Sequence, residues 1–142
     1  MFETIVAPID GSDHADRATD RAFEIAAHHG SSVHVICVVD TGPLGSYRLP
    51  GESENAEEVL RKRAETLVAE AKERAGEGID VTTATPTGTA KTEILEYADS
   101  VDAGLIVMGS RGLDGVDRLM LGSVTEHVTR TSEIDVLVCG DG

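Results

Sequence analysis

Apolar positions along the chain follow two alternating periods. Residues 4–9, TIVAPI, form a short β-rich run that ends at Asp10-Gly11-Ser12-Asp13. Beyond it Ala15, Ala18, Ala22, Ile25 and Ala26 fall three or four apart, the spacing of one helical face. Ser12 suits the start of that helix as a cap, Asp13 and Asp16 suit the positive end of its dipole, and Gly30 stops it. SVHVICVV (32–39) reads as a second strand, and residues 41–55, rich in Gly, Pro and Ser, as a loop. Val59, Leu60, Ala64, Leu67, Val68 and Ala71 mark a long amphipathic helix ending near Gly76–Gly78. IDVTTAT (79–85) is a third strand, turned by Pro86, Thr87 and Gly88, and Ile94, Leu95, Ala98 and Val101 stripe a third helix. AGLIVMG (103–109) is a strongly apolar fourth strand; a helix over 123–131 and a fifth strand, IDVLVCG (134–140), close the chain.

Strands that alternate with helices, several of them continuously apolar, predict a parallel sheet covered on both faces. Right-handed crossovers make a doubly wound sheet the natural architecture, expected as a single domain over residues 1–142. Ligands of such sheets sit beyond the carboxyl ends of the strands, where strand order reverses. Two loops fall there: Ile9–Asp13 after strand 1, and a glycine-rich segment after strand 4.

Charge changes the list of partners. Twenty-six acids against twelve Lys and Arg give a net charge of −14, which argues against nucleic acid or an anionic membrane as a partner. The acids are spread over all the predicted helices, and only Lys62, Lys72 and Lys91 are lysines. That balance resembles cytoplasmic proteins of salt-accumulating microbes, where a Debye length of about 3 Å in molar salt screens the repulsion, and predicts a halophilic source. No apolar run approaches the ~18 residues of a membrane span, and the start, MFETIVAPID, is too short and acidic for a secretory signal, so a cytoplasmic location is expected. Cys37 and Cys139 lie in valine-rich runs and read as strand thiols. The five histidines lack metal-ligand spacing, and no nucleophile–base constellation emerges, so no catalytic residue is assigned.

The segment after strand 4 carries Gly109, Gly112, Gly115 and Gly122. A P-loop would need a Gly-Lys pair, and a Rossmann fingerprint would need GxGxxG after an early strand; neither is present. The spacing that fits is G-x2-G-x9-G-S: Gly109, Gly112, then Gly122-Ser123. Gly109 and Gly112 leave backbone amides free to wrap a phosphate just past a strand end. Gly122-Ser123 opens a helix, whose first amides and dipole favour an anion. Between them lies a flap containing Arg111 and Arg118. The competing reading is a surface loop followed by a capping box, Ser123-Val124-Thr125-Glu126, with Ser123 at the N-cap. Asp10 has a similar plain alternative, capping a turn to Ser12.

This arrangement resembles the universal stress protein family, in its nucleotide-binding branch. The likeness covers the chain: TIVAPIDGS, the PTGTAKTEIL turn and helix, GLIVMGSRG, LGSVTEHV and the terminal DVLVC. It implies a five-stranded α/β sheet of order 3-2-1-4-5 with helices on both faces, the adenine nucleotide alpha hydrolase-like architecture. It also implies ATP, AMP, cyclic AMP or another adenine nucleotide between strands 1 and 4. Position by position, Pro8, Ile9 and Asp10 would border the adenosine and Val38 would back the adenine. Gly109, Ser110, Arg111, Gly112, Gly122, Ser123 and Val124 would hold ribose and phosphates. Asp10 has two open roles: acceptor for a ribose hydroxyl, or partner of a Mg²⁺ that travels with the phosphates.

Strand 5 would then be an edge without lysine or proline, which invites antiparallel pairing into a homodimer through residues 134–140. The function expected is a dimeric, ligand-gated regulatory module in a stress response. A slow ATP hydrolase or nucleotidyl-transfer enzyme is the first alternative; an interaction protein that keeps the fold without a ligand is the second.

Overall fold

Runs that are apolar on both sides take the middle of the sheet. The computed structural model, which describes residues 2–40, 56–110 and 122–140, has five strands: β1 (Thr4–Pro8), β2 (Ser32–Ile36), β3 (Asp80–Ala84), β4 (Leu105–Gly109) and β5 (Asp135–Cys139). Four helices separate them: α1 (Asp13–His29), α2 (Ala56–Arg74), α3 (Ala90–Ser100) and α4 (Ser123–Thr131). All strand pairs are parallel, in the order β3-β2-β1-β4-β5. Every residue of β4 is buried, as a central strand covered on both faces requires.

Alternation along the strands sends side chains to two cores. Ile5, Ala7, Val33, Val35 and Val107 pack with α1 and α2 on one face. Val6, Ile36, Ile106 and Met108 pack with α3 and α4 on the other. Ala15, Ala18, Ala22 and Ala26 are all buried, so α1 approaches the sheet through small side chains. Its start is capped as expected, the Ala15 amide donating to Ser12 Oγ at 3.2 Å, and Gly30 ends it in the left-handed conformation. Asp40 caps α3 from outside the helix, its Oδ2 accepting from the Ala90 amide at 3.0 Å. Among the described residues no helix is long and apolar enough to cross a membrane.

The sheet parts at its centre. β1 pairs with β2 through Pro8–Ile36, and β4 pairs with β5 through Gly109–Cys139. The β1–β4 register covers only Ile5–Leu105 and Val6–Ile106. Proline explains part of this. The Thr4 carbonyl accepts from Gly104 beside β4, and the Ile9 amide donates to Ile36 of β2. By alternation Pro8 faces β4, where it has no N–H to offer. A seam therefore opens between β1 and β4 at the carboxyl edge, where strand order reverses.

One strand is shorter than its apolar run suggests. The ladder between β1 and β2 ends with Ile9 N–H donating to the Ile36 carbonyl at 2.8 Å. Residues 37–39 stay extended but bond only toward β3: Cys37 to Ala84 at 3.1 Å, Val39 to Pro86 at 2.7 Å, and Gly88 back to Val39 at 3.0 Å. Hydrophobicity continues to Val39 because the packing continues; the ladder does not, because β1 has turned away.

Candidate functional site

Two loops meet the open seam. After β1 the chain turns at Asp10, whose Oδ1 accepts from the Ser12 amide at 2.9 Å. The plain reading of Asp10 as a turn cap is therefore present, and its carboxylate stays half-buried at the loop. Gly11 takes φ 90°, a left-handed conformation that disfavours any side chain. A Cβ there would also lie 2.9 Å from Arg63 Nη2, so the Arg63 guanidinium of α2 rests on the loop. Cys37 lies buried nearby; burial, then the Asp10 charge, push its thiol pKa up despite Arg63. A thiol held neutral in this way is a poor nucleophile.

The β4–α4 side is organised around Gly109. A Cβ on Gly109 would lie 2.8 Å from the His14 carbonyl carbon and 3.0 Å from the Ala15 nitrogen. Glycine is needed here so that the first turn of α1 can lie against β4, a packing reason distinct from phosphate access. The Gly109 carbonyl accepts from Thr125 Oγ1 at 2.8 Å, a buried bond that ties α4 to the strand. The Ser110 amide donates to Cys139 at 2.9 Å, and its carbonyl accepts from the Gly122 amide at 2.6 Å. Ser110 and Gly122 are thus bonded directly to each other.

Gly122, not Ser123, is the N-cap of α4, and among the described residues no side-chain hydrogen bond caps that end. This corrects the capping-box reading: Ser123 is already the first helical residue, so its hydroxyl is not at the cap position. The first intrahelical bond is Glu126 N–H to the Gly122 carbonyl at 2.9 Å. The amides of Ser123, Val124 and Thr125 precede it in the first turn, where a helix has no internal acceptor for them. α1 differs. Its start holds the Ser12 cap and the acids Asp13 and Asp16, whereas Glu126 of α4 is drawn to Arg130 at 3.2 Å. Of the two helix starts at the seam, α4 is the one without a side-chain cap among the described residues.

The expected site residues divide by face. Val38 and Val124 pack against the same core, on the α3/α4 side, and Pro8 is buried at the end of β1. Ile9 is buried in the opposite core, and its amide is already bonded to β2, so its side chain does not join them. Gly109, Ser110 and Gly122 come together at the seam. Arg111 and Gly112, with Gly115 and Arg118, lie outside the described residues.

Three residues at this edge were not singled out by the sequence pattern: Arg61, Arg63 and Thr125. The basic triplet Arg61-Lys62-Arg63, a quarter of the chain's twelve Lys and Arg, was the available signal for the first two. Thr125 carries a fainter one, a polar residue three positions before the buried Val128 on one helical face.

The family model described as universal stress protein family matches residues 1–140. The chain belongs to that family. A universal stress protein of Methanocaldococcus jannaschii is 35% identical over 139 residues, covering 97% of this chain and 82% of the relative. A crystal structure of a universal stress protein in complex with cAMP superposes with TM-score 0.73 at 29% identity, covering 99% of this chain and 98% of the other. The family's fold is also seen in the universal stress protein from Archaeoglobus fulgidus in complex with dAMP, at TM-score 0.65 and 23% identity, covering 98% of each chain.

Proposed function

We propose that the chain is an adenine-nucleotide-binding regulatory module of the stress response, holding its ligand in the β1/β4 seam. The observation that carries this is the pair of unused backbone groups on either side of the opening. On the α4 side are the uncapped first amides of the helix, suited to phosphate through both donors and dipole. On the β2 side is Val38. Ile36 faces β1, Cys37 and Val39 bond toward β3, so the Val38 N–H and C=O point by alternation into the space β1 has left. Among the described residues nothing takes either group.

One donor beside one acceptor matches the Watson–Crick edge of adenine, which offers N1 as acceptor and the 6-amino group as donor. With the ribose end held at the seam, a 6-oxo purine would set its O6 against the Val38 carbonyl. The half-buried Val38 side chain then backs the ring, while Ser110, Ser123 and the α4 amides take the phosphate end. Arg111 and Gly112 complete that clasp in this reading. Asp10, whose Oδ1 accepts from the Ser12 amide, borders the ribose in this reading, as acceptor for a hydroxyl or as partner of the waters of a Mg²⁺. The structural neighbour in complex with cAMP supports an adenine nucleotide as the class of ligand; ATP is the member that fills the phosphate half most fully.

Two copies pair through β5 in the same reading. The two sheet edges differ. β3 exposes Asp80 and the polar Thr82, whereas β5, beyond the exposed Asp135 at its start, exposes Leu137 between the half-buried Val136 and Val138. The acid-rich surface suits a protein that works in molar salt.

Purification in molar KCl, followed by mass spectrometry of what is released on denaturation, tests the ligand class. An adenine nucleotide near one per chain is expected; a chain that neither retains nor rebinds one contradicts the reading.

A further inference from the structure

We infer that Arg61 is a positioning residue for the base: it holds the Val38 edge in place and so sets a preference for 6-amino over 6-oxo purines. This rests on the nucleotide reading above. Arg61 sits half-buried in the second turn of α2. Its Nη1 donates to the Thr85 carbonyl at 3.1 Å and to Thr85 Oγ1 at 3.3 Å, and its Nη2 donates to Thr87 Oγ1. One guanidinium therefore spans the whole turn that follows β3.

That turn is what Val38 hangs from. Val39 donates to the Pro86 carbonyl at 2.7 Å and accepts from Gly88 at 3.0 Å, so both bonds of the residue next to Val38 go to the segment Arg61 grips. β1 gives no matching support, because its last bond to β2 is at Ile9. The reading edge is held from one side, and Arg61 braces that side. Its partners among the described residues are neutral oxygens, so the role is geometric and not that of an ion pair. A planar fork with five donors can reach three such acceptors together; an ammonium cannot cover the same span.

A brace that acts on the base edge makes a distinct prediction from one that merely stabilises the fold. It should change discrimination between bases while leaving the phosphate half intact. Equilibrium binding of AMP and IMP in molar KCl reads this directly. The unaltered chain should prefer AMP by at least tenfold. Arg61→Met should bring the ratio toward one by losing AMP affinity, with IMP little changed, and Arg61→Lys should fall between. Thr87→Val, which removes one acceptor at an exposed site, should also lower the ratio. Arg74→Met is the control: Arg74 ties α2 to Asp16 and Asp20 of α1, away from the turn, and its loss should leave the ratio unchanged.

A folded Arg61→Met protein with the wild-type ratio would overturn the inference. If that variant does not fold, an unchanged ratio in Thr87→Val overturns it equally. An unaltered chain that binds AMP and IMP alike would remove this inference while leaving the nucleotide reading standing; one that binds neither removes both.

Discussion

Gly109 and Gly122 look equivalent in a glycine motif, yet the structure gives them different work. Gly109 makes room for the backbone of α1, and its neighbours at 2.8–3.0 Å cannot move like a flexible side chain. Gly109→Ala should therefore destabilise the free protein by roughly 1–3 kcal/mol, the usual range for overpacking. Gly122 has φ −61° and ψ 150°, open to any residue, at an N-cap with no side-chain bond. Gly122→Asp should supply the missing cap and raise the stability of the free protein by a few tenths of a kcal/mol. The same carboxylate should abolish nucleotide binding, because it fills and repels the place phosphate would take. Denaturant melts paired with AMP titrations read both changes; a Gly122→Asp protein that binds AMP normally would remove α4 from the site.

At the scale of elements, β2 and α3 are joined by a polar contact on an otherwise apolar face. His34 Nδ1 lies 2.7 Å from the Tyr97 hydroxyl, and the rings meet edge-on at 5.6 Å. In the neutral tautomer with its proton on Nε2, the hydroxyl donates to Nδ1. Burial lowers the His34 pKa, and the charge of Asp80 opposes that only in part. The unfolded chain therefore takes up a proton near pH 6.5 that the folded one resists. This contribution to stability is flat above the unfolded pKa and falls as the pH drops below it. Between pH 7 and pH 5 the wild type should lose more stability than His34→Gln; equal losses by chemical denaturation would refute the assignment. The elements themselves were legible from periodicity, because each helix shows one apolar stripe, β1 and β4 show nearly continuous apolar runs, and β2 alternates around His34. What was not legible lies between elements. The early end of β2 depends on where β1 turns, the N-cap of α4 on how Gly122 meets Ser110, and the reach of Arg61 and Arg63 on how α2 crosses the sheet. The Gly122 amide bonds to Ser110, next to Gly109 at the seam, but the need for glycine at 109 comes from α1, a neighbour that no local pattern in the β4 segment names.

The whole molecule combines an acid-rich composition, an apolar sheet edge and a polar seam. With −14 per chain, the proposed pairing of two copies should weaken at low ionic strength and strengthen as salt screens the repulsion. Light scattering in molar KCl should report a dimer, and Leu137→Lys should shift it to monomer by placing a charge on the β5 edge. A wild-type monomer at micromolar concentration would contradict the pairing. The central claim is that the seam binds an adenine nucleotide, and the thermal melt of the unaltered protein in molar KCl, with and without Mg-ATP, tests it most directly. A ligand present at a hundred times its dissociation constant stabilises the fold by about 2.7 kcal/mol, so the melting midpoint should rise by several degrees. A midpoint unmoved by millimolar Mg-ATP, and equally by AMP or cAMP, would contradict it.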